Sequence, residues 1–315
     1  MKVLLHYGAS TGYLAALEAR RPDWLDVAVV AEADDDGFYR ELPDTDVILH
    51  ALRPISAADM DLAPGLKLIQ KIGIGVNTID VDAATERGIA VANMPGSNAI
   101  AVAETALMLM LAAARRLTHI DRATRAGQGW EIPPDDYDQV SEIAGKTVGL
   151  VGYGAIPQHL GPILNAMGAR VLYTAQTPKP DAAAAWRELD DLIEEADIIS
   201  LHIPQTDVTA GIISSERIAR MKKGVVLVNT ARGGLVDEGA FVQALQTGQI
   251  GAAGLDVYAS EPVDADNPLL SMENVICMPH ISWLTPQTLE RSLDIAVENC
   301  RRIRDGEEPL HHVNG

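Results

Sequence analysis

Three polar side chains in the second half of the chain could together carry out proton transfer. Arg232, Glu261 and His280 each follow a short apolar run of the kind that forms a buried strand. A histidine exchanges a proton near neutral pH, a carboxylate can orient its ring, and arginine is a permanent cation that binds carboxylates. Singly, each is more often an ordinary surface or core residue. If the runs form parallel strands, their carboxyl ends meet at one sheet edge, where ligands bind, and the three side chains could converge there.

A glycine turn follows the first apolar run of the same series. In Gly152-Tyr-Gly154-Ala-Ile-Pro157, the first glycine permits a tight turn, and the second lets backbone amides approach a pyrophosphate at a helix N-terminus. Pro157 replaces the glycine that normally allows close helix–strand packing. Pro162 falls inside the helix that should follow, where a proline predicts a kink or a break. The loop is a weakened dinucleotide-binding pattern, and an ordinary strand-to-helix turn is the alternative.

The choice between NAD and NADP depends on the residues after the second strand of this series, Arg170–Thr174. An Asp or Glu there would bind the ribose 2′-hydroxyl of NAD, and none is present. No arginine is present to bind a 2′-phosphate, and the polar candidates are Gln176, Thr177 and Lys179. The cofactor can therefore be NADP or NAD, with NADP favoured.

Short apolar runs alternate with helical patterns along nearly the whole chain, which predicts parallel sheets covered by helices. The strands expected in the first third are Val3–Tyr7, Val27–Ala31, Val47–Ala51, Leu66–Ile72 and Ile89–Asn93, with a helix at Tyr13–Arg20. Those expected later are Thr147–Val151, Arg170–Thr174, Ile198–His202, Val225–Asn229, Gly254–Val257 and Val275–Met278. Six strands there match a doubly wound nucleotide-binding domain. Further helices are predicted at Ser97–Arg116, which is apolar enough for a domain or dimer contact, and at Pro286–Arg304.

Composition and charge exclude several classes of protein. A length of 315 residues favours about two domains, and 44 acidic against 25 basic residues give a net charge of −19, which disfavours nucleic acid as a partner. The longest apolar run, Ala106–Ala114, is too short to span a membrane. Cys277 and Cys300 form neither a disulfide framework nor a metal-ligand spacing. We therefore expect a soluble cytoplasmic protein without a metal site.

The chain resembles the D-isomer-specific 2-hydroxyacid dehydrogenases over essentially its whole length, and most closely the glyoxylate/hydroxypyruvate reductases. The shared motifs are Lys71-Ile-Gly-Ile-Gly-Val-Asn-Thr-Ile-Asp80, Ala103-Glu-Thr-Ala, the glycine loop, Asn229-Thr-Ala-Arg-Gly, Leu255-Asp-Val-Tyr and Pro279-His280-Ile-Ser-Trp283. The resemblance implies an α/β protein with two doubly wound parallel-sheet domains and a cleft between them. The flavodoxin-like substrate domain would comprise residues 1–96 and 287–315, and the Rossmann cofactor domain residues 97–286.

The resemblance also implies an activity and the residues that perform it. The enzyme would be a homodimer that uses NAD(P)H to reduce glyoxylate or hydroxypyruvate reversibly to the D-2-hydroxy acid. His280 would be the acid and base, Glu261 would orient it, and Arg232 would polarise the carbonyl and help to hold the carboxylate. That carboxylate would also contact the backbone amides of Ile74 and Gly75.

Further residues take binding roles by the same resemblance. Arg53 could hold a more distal anionic or hydroxyl group, and Trp283 would form an apolar wall or reach across a dimer contact. Asp256 would face the nicotinamide side of the site. The cofactor contacts would be Thr105, Gly152, Gly154, Ala155, Ile156, Gln176, Thr177, Lys179, Ile203, Pro204, Thr230, Ala231 and Asp256.

Two other activities fit parts of the sequence. A formate dehydrogenase is disfavoured, because that relative has glutamine in place of the acid at Glu261. A corepressor-like protein that binds a dinucleotide to control assembly keeps the same three polar residues. Such a binding protein is therefore the alternative to an enzyme. Pro157 gives this alternative some weight, because a proline in the glycine loop can weaken or distort cofactor binding.

Overall fold

The computed structural model describes residues 1–315, apart from the side chain of Asp135, and it divides into two compact units. The first unit comprises Met1–Asn98 and Trp283–Gly315, and the second comprises Ala99–Ser282. One unit is therefore interrupted in sequence by the other. The predicted domain boundaries follow residues 96 and 286. The boundaries between the two units follow residues 98 and 282, so the first lies slightly later in the chain and the second slightly earlier.

The first unit contains a five-stranded parallel sheet with the spatial order β2-β1-β3-β4-β5. This is the flavodoxin-like order, in which the strand order reverses between β1 and β3. The strands are β1 (Lys2–His6), β2 (Asp26–Val30), β3 (Val47–His50), β4 (Leu68–Lys71) and β5 (Ala90–Ala92), and the intervening helices are α1 (Thr11–Arg20), α2 (Asp35–Glu41), α3 (Ala57–Asp61) and α4 (Val81–Glu86). The five strands predicted here are all present, with ends shifted by a residue or two.

Side-chain caps explain where the helices of this unit begin. Ser10, Asp34, Ser56 and Asp80 each accept a hydrogen bond from a backbone amide in the first turn of the helix that follows. Such caps satisfy amides that have no partner inside the helix. Each helix therefore starts soon after a strand ends, which leaves short loops at the carboxyl edge of the sheet.

The second unit contains a seven-stranded parallel sheet with the order β12-β11-β10-β9-β6-β7-β8. This is the Rossmann order extended by one strand, and the order reverses between β6 and β9. The strands are β6 (Thr147–Val151), β7 (Arg170–Thr174), β8 (Ala185–Trp186), β9 (Ile198–Leu201), β10 (Val225–Asn229), β11 (Ile250–Leu255) and β12 (Val275–Cys277). The helices are α5 (Ala99–Ala114), α6 (Leu117–Arg125), α7 (Pro134–Tyr137), α8 (Ala155–Ala166), α9 (Leu189–Glu195), α10 (Ser215–Arg220) and α11 (Glu238–Thr247).

Several predicted elements of the second unit need correction. β8 was not predicted, and β11 begins at Ile250 rather than Gly254. The start of β11 is rich in glycine and alanine, which have low strand propensity but allow α5 to pack closely. A Cβ on Gly254 would lie 2.7 Å from Cβ of Leu109 on that helix. The helix predicted over Ser97–Arg116 ends earlier, because Arg116 adopts a left-handed conformation before α6.

Of the two outcomes expected at Pro162, a kink or a break, the break is wrong and the kink stays a prediction. Helix α8 continues from Ala155 to Ala166 with Pro162 inside it. Pro162 is exposed, so the carbonyl group that loses its helical partner can bond to water. The neighbouring Gly161 is buried.

The C-terminal helix α12 (Pro286–Asp305) returns to the first unit and packs against α1. It agrees with the predicted Pro286–Arg304 helix to within one residue. In the part of the chain that the structure describes, no helix is both long and apolar enough to cross a membrane.

Candidate active site

Neighbouring strands of the second unit bring two of the three predicted catalytic residues into direct contact. β10, β11 and β12 are consecutive parallel strands, and Arg232, Glu261 and His280 lie in the loops that follow them. Nδ1 of His280 lies 2.7 Å from Oε2 of Glu261. Since a carboxylate can only accept, Nδ1 carries the proton and donates to Glu261.

Asp256 fixes the loop that carries His280. The His280 amide donates to the Asp256 carbonyl over 2.8 Å, and the amides of Ile281 and Ser282 each donate to the Asp256 carboxylate over 2.9 Å. These bonds hold His280 in a left-handed conformation with φ of 56°. Asp256 was predicted to face the nicotinamide side. Its buried carboxylate bonds to backbone amides of the His280 loop, which makes it a positioning residue, and the nicotinamide-facing role stays a prediction.

Glu261 is held in its ionised form. Its other oxygen, Oε1, accepts a bond of 2.9 Å from the Tyr258 amide. Burial alone would raise the pKa of Glu261, but the hydrogen bonds from His280 and Tyr258 and the charge of Arg232 outweigh it and lower that pKa. The ionised carboxylate accepts the Nδ1–H bond and so fixes the orientation of the His280 ring.

Arg232 lies on a turn shaped by a residue that the sequence did not single out for a role. The side chain of Asn229 accepts from the Ala231 amide at 3.0 Å and donates to the Arg232 carbonyl at 2.8 Å. An asparagine at a strand end is a known turn former, and that signal could have identified it. The residue after Arg232 has to be a glycine, because a Cβ on Gly233 would collide with the backbone of Tyr258. Burial lowers the pKa of Arg232, and the nearby Glu261 charge acts in the opposite direction.

The glycine loop has the shape required to hold a pyrophosphate. Gly152 has a φ of 106°, and a Cβ on it would lie 2.6 Å from the carbonyl oxygen of His202. A Cβ on Gly154 would meet no described atom within 4 Å, so this side of the loop is open. Helix α8 begins directly afterwards at Ala155. Pro157 is its third residue, where an N–H group has no helical partner to lose.

The remaining predicted cofactor residues lie around the same edge of the sheet. Ile203 and Pro204 follow β9, which pairs with β6, whereas Thr230 and Ala231 follow β10. Thr105 is half-buried on α5. The three candidates for the 2′ position follow β7 and are exposed: Gln176, Thr177 and Lys179. The Lys179 amide donates to the Tyr173 hydroxyl over 2.6 Å, which fixes the backbone of this turn.

The predicted substrate residues belong to the first unit. Ile74 and Gly75 follow β4, and the Asn93 side chain donates to the Ile74 carbonyl over 2.9 Å. The sequence did not single out Asn93. Trp283 packs into the hydrophobic core of this unit, with its ring centroid 6.1 Å from that of Tyr7. Its assignment as a pocket wall or a dimer contact stays a prediction.

Arg53 differs most from its predicted role. Its guanidinium donates to Asp35 and to Tyr39 at 2.9 and 3.0 Å, and it lies 3.6 Å from the Asp59 carboxylate. The side chain is 16% exposed. The proposed hold on a distal anion therefore needs correction, because the charge of Arg53 is already used within its own unit. The sequence could not show this, since its partners come from α2 and α3.

Comparison with known proteins decides the family. Residues 107–282 match the family model described as "D-isomer specific 2-hydroxyacid dehydrogenase, NAD binding domain", which is more than half of the chain. The chain belongs to this family. The dehydrogenase therefore uses a nicotinamide dinucleotide, and its glycine loop fits the pyrophosphate of that cofactor.

Individual relatives of the dehydrogenase carry different substrate names. It is 37% identical over 288 residues to a hydroxypyruvate reductase from Blautia hydrogenotrophica, covering 89% of this chain and 88% of the relative. It is 38% identical over 266 residues to a glyoxylate reductase from Aeropyrum pernix, covering 81% and 79%. A D-3-phosphoglycerate dehydrogenase from Mycobacterium leprae is 38% identical over 297 residues, covering 93% of this chain but only 55% of the relative. The predicted family is confirmed, and its members here share 2-hydroxyacid dehydrogenase chemistry rather than one substrate.

Proposed function

We propose that this dehydrogenase reduces a small 2-oxo acid, glyoxylate or hydroxypyruvate, to the D-2-hydroxy acid with NADPH or NADH. The observation that carries the proposal is the 2.7 Å bond between Glu261 and His280. It holds a histidine ready for proton transfer at the strand edge that also bears Arg232 and the glycine loop.

The cofactor would bind where the glycine loop meets α8. The open side of Gly154 and the first amides of the helix, those of Ala155 and Ile156, would receive the pyrophosphate. When bound in its reduced form, the nicotinamide supplies the hydride that reduces the carbonyl carbon. No acidic residue stands among residues 175–179, and Lys179 is the cation nearest in sequence, which favours NADP.

His280 would supply the proton that completes the reduction. Since Nδ1 donates to Glu261, proton transfer to the carbonyl oxygen would use Nε2. The neutral ring that remains keeps its Nδ1–H bond to Glu261, so Nε2 can take the proton back in the reverse direction. Arg232 would stabilise the negative charge that develops on the carbonyl oxygen and would bind the carboxylate. The amides of Ile74 and Gly75 would also receive that carboxylate.

A homodimer in the cytoplasm completes the proposal. Helix α5 leaves the side chains of Ile100, Met108 and Leu111 exposed, although most of the helix is buried. Exposed apolar side chains on one helix favour association with a second copy. The cytoplasmic location stays a prediction from the small number of cysteines.

Spectrophotometric turnover tests the proposed function. Oxidation of NADPH or NADH should follow the addition of glyoxylate or hydroxypyruvate. The rate should fall by at least about 10²-fold in His280→Gln and in Arg232→Ala, while both variants keep their circular dichroism spectra. An exposed histidine on α8 provides the matched control, and His159→Gln should keep the wild-type rate. Thermal stabilisation by a dinucleotide without turnover of any 2-oxo acid would instead support the dinucleotide-binding regulator.

A further inference from the structure

We propose that Glu32 and Asp35 exclude phosphorylated acids from the site, so that its substrates are short 2-oxo acids without a phosphate. The inference rests on the proposed function, because it specifies which acids the same site reduces. The relatives include a hydroxypyruvate reductase and a D-3-phosphoglycerate dehydrogenase at nearly equal identity. Overall sequence identity therefore does not decide whether the substrate carries a phosphate. The charges around the substrate site have to decide it.

The relevant surface is the loop after β3, residues 51–56, which adjoins the loop after β4. Ile55 exchanges backbone hydrogen bonds with Thr78 and Asp80, at 2.9 and 3.0 Å, so the two loops form one structure. Ligands of parallel sheets bind at this carboxyl edge, near the point where the strand order reverses. An acid whose carboxylate rests on Ile74 and Gly75 would place its C3 atom two bonds from the carboxylate carbon, and the substituent on C3 one bond further on. That substituent would therefore lie beside the loop after β3.

Two backbone amides of this loop that could bind an anion already donate to a side chain of the protein. The amides of Leu52 and Arg53 both donate to Oε1 of Glu32, at 2.6 and 3.3 Å. Adjacent backbone amides of this kind can bind a phosphate or a carboxylate. In this chain a carboxylate of the protein itself occupies the position. An incoming phosphate would have to displace it.

The second donor, the guanidinium of Arg53, is also occupied. Each of its three nitrogens donates a hydrogen bond within the first unit, and its plane lies over an aromatic ring 4.2 Å from the centroid. The partners are the Asp35 carboxylate, the Pro54 carbonyl, the Tyr39 hydroxyl and the Phe38 ring, with the Asp59 carboxylate 3.6 Å away. Three of the five N–H groups of Arg53 are therefore engaged within the first unit, and a phosphate would have to compete with the Asp35 and Asp59 carboxylates for this cation.

The charge balance of the loop opposes a phosphate dianion. Glu32, Asp35 and Asp59 supply three carboxylates, against Arg53 and the buried Lys71, whose ammonium donates to the Ala51 carbonyl. These five groups around the loop therefore carry a net charge of −1, from three carboxylates and two cations. Like charges placed together in an interface are strongly unfavourable. A hydrogen or a hydroxyl group at the same position carries no charge and meets no such penalty.

Substrate competition in matched variants tests the inference. The measurement is kcat/KM for hydroxypyruvate and for 3-phosphohydroxypyruvate, with glyoxylate as a third substrate, in the wild type, Glu32→Gln and Asp35→Asn. The wild type should prefer hydroxypyruvate. Each substitution removes one negative charge and keeps a hydrogen-bonding oxygen, so the loop should fold normally. The ratio of kcat/KM for the phosphorylated to the unphosphorylated acid should rise on the order of tenfold.

Two controls separate this effect from a general change in charge. Asp36→Asn removes the same charge from an exposed neighbour of Asp35, and its ratio should stay within about twofold of the wild type. Adding Arg53→Gln to Asp35→Asn should cancel the gain, because Arg53 is the cation that the first substitution releases.

The possible results distinguish this inference from the proposed function. A wild-type preference for 3-phosphohydroxypyruvate, or an unchanged ratio in both single variants, would overturn the inference and leave the reductase activity standing. An equal rise in Asp36→Asn would also overturn it. Absence of turnover with all three acids would overturn the proposed function, and the inference with it.

Discussion

The two glycines of the dinucleotide loop should respond to alanine in opposite ways. Gly152 has a left-handed φ of 106°, and a Cβ there would lie 2.6 Å from the carbonyl oxygen of His202. That carbonyl cannot easily move, because the His202 amide is bonded to Val151 over 2.8 Å at the end of β6. Strain and the close contact together should destabilise Gly152→Ala by about 2–4 kcal/mol.

Gly154→Ala should fold normally and bind the cofactor more weakly. Gly154 has an extended conformation with φ of −84°, and its added Cβ would meet no described atom within 4 Å. Its unfolding free energy should stay within about 1 kcal/mol of the wild type. The new methyl group would occupy the space through which a pyrophosphate approaches the α8 amides. Loss of a charge-assisted hydrogen bond worth about 1.5–3 kcal/mol weakens binding roughly 10–100-fold.

Thermal unfolding and calorimetric titration check both expectations. Without ligand, Gly152→Ala should unfold at least about 4 °C below the wild type, whereas Gly154→Ala should unfold close to it. With NADPH or NADH added, Gly154→Ala should show little of the wild-type stabilisation. Wild-type affinity in Gly154→Ala would refute the assignment of this loop to the pyrophosphate. An equal loss of stability in both variants would refute the reasoning about the space around Gly154.

Three further predictions follow from the same contacts. Glu261→Gln should lower kcat for reduction on the order of 10–100-fold, because a neutral amide accepts the Nδ1–H bond of His280 less strongly than a carboxylate does; a wild-type kcat in steady-state kinetics would contradict this. Burial and the Lys71 charge lower the pKa of His50 to about 2, so the unfolded chain binds a proton below pH 6.5 that the folded protein does not. The unfolding free energy should therefore fall by about 1.4 kcal/mol per pH unit below 6.5 for this group, and urea denaturation of His50→Gln should show a shallower slope. Met108→Glu should convert the dimer to a monomer by light scattering, and an unchanged mass would argue against the α5 contact.

The sequence predicts those strands that form an apolar run long enough to be recognised as a pattern. β1 to β4 are runs of four or five residues that contain Val, Ile or Leu, so their existence could be predicted. β5 is only Ala90–Ala92, and it could be predicted because Ile89 extends the apolar run. β8 has two residues, too few for a pattern, and β11 begins with small residues whose packing against α5 is a tertiary effect. Pro162 shows the same limit, since a proline rule describes an isolated helix and not one held against a sheet.

The candidate site shows which relationships a sequence can reveal. The strand ends predicted that the loops of Glu261 and His280 lie close together, and the family resemblance implied that the two side chains pair. The partners of Arg53 and Asp256 could not, because they depend on which loops fold back onto those side chains. The functional roles of these residues stay predictions, and the structure adds the hydrogen-bond partners of each side chain.

The rate of hydroxypyruvate reduction in the wild type and in His280→Gln, at saturating NADPH, tests the central claim most directly. The wild type should form the D-2-hydroxy acid. His280→Gln should still bind the dinucleotide but lose about 10²–10⁴-fold in kcat, the usual contribution of a general acid. A variant that turns over at the wild-type rate, or a wild type that forms no hydroxy acid, would contradict the account.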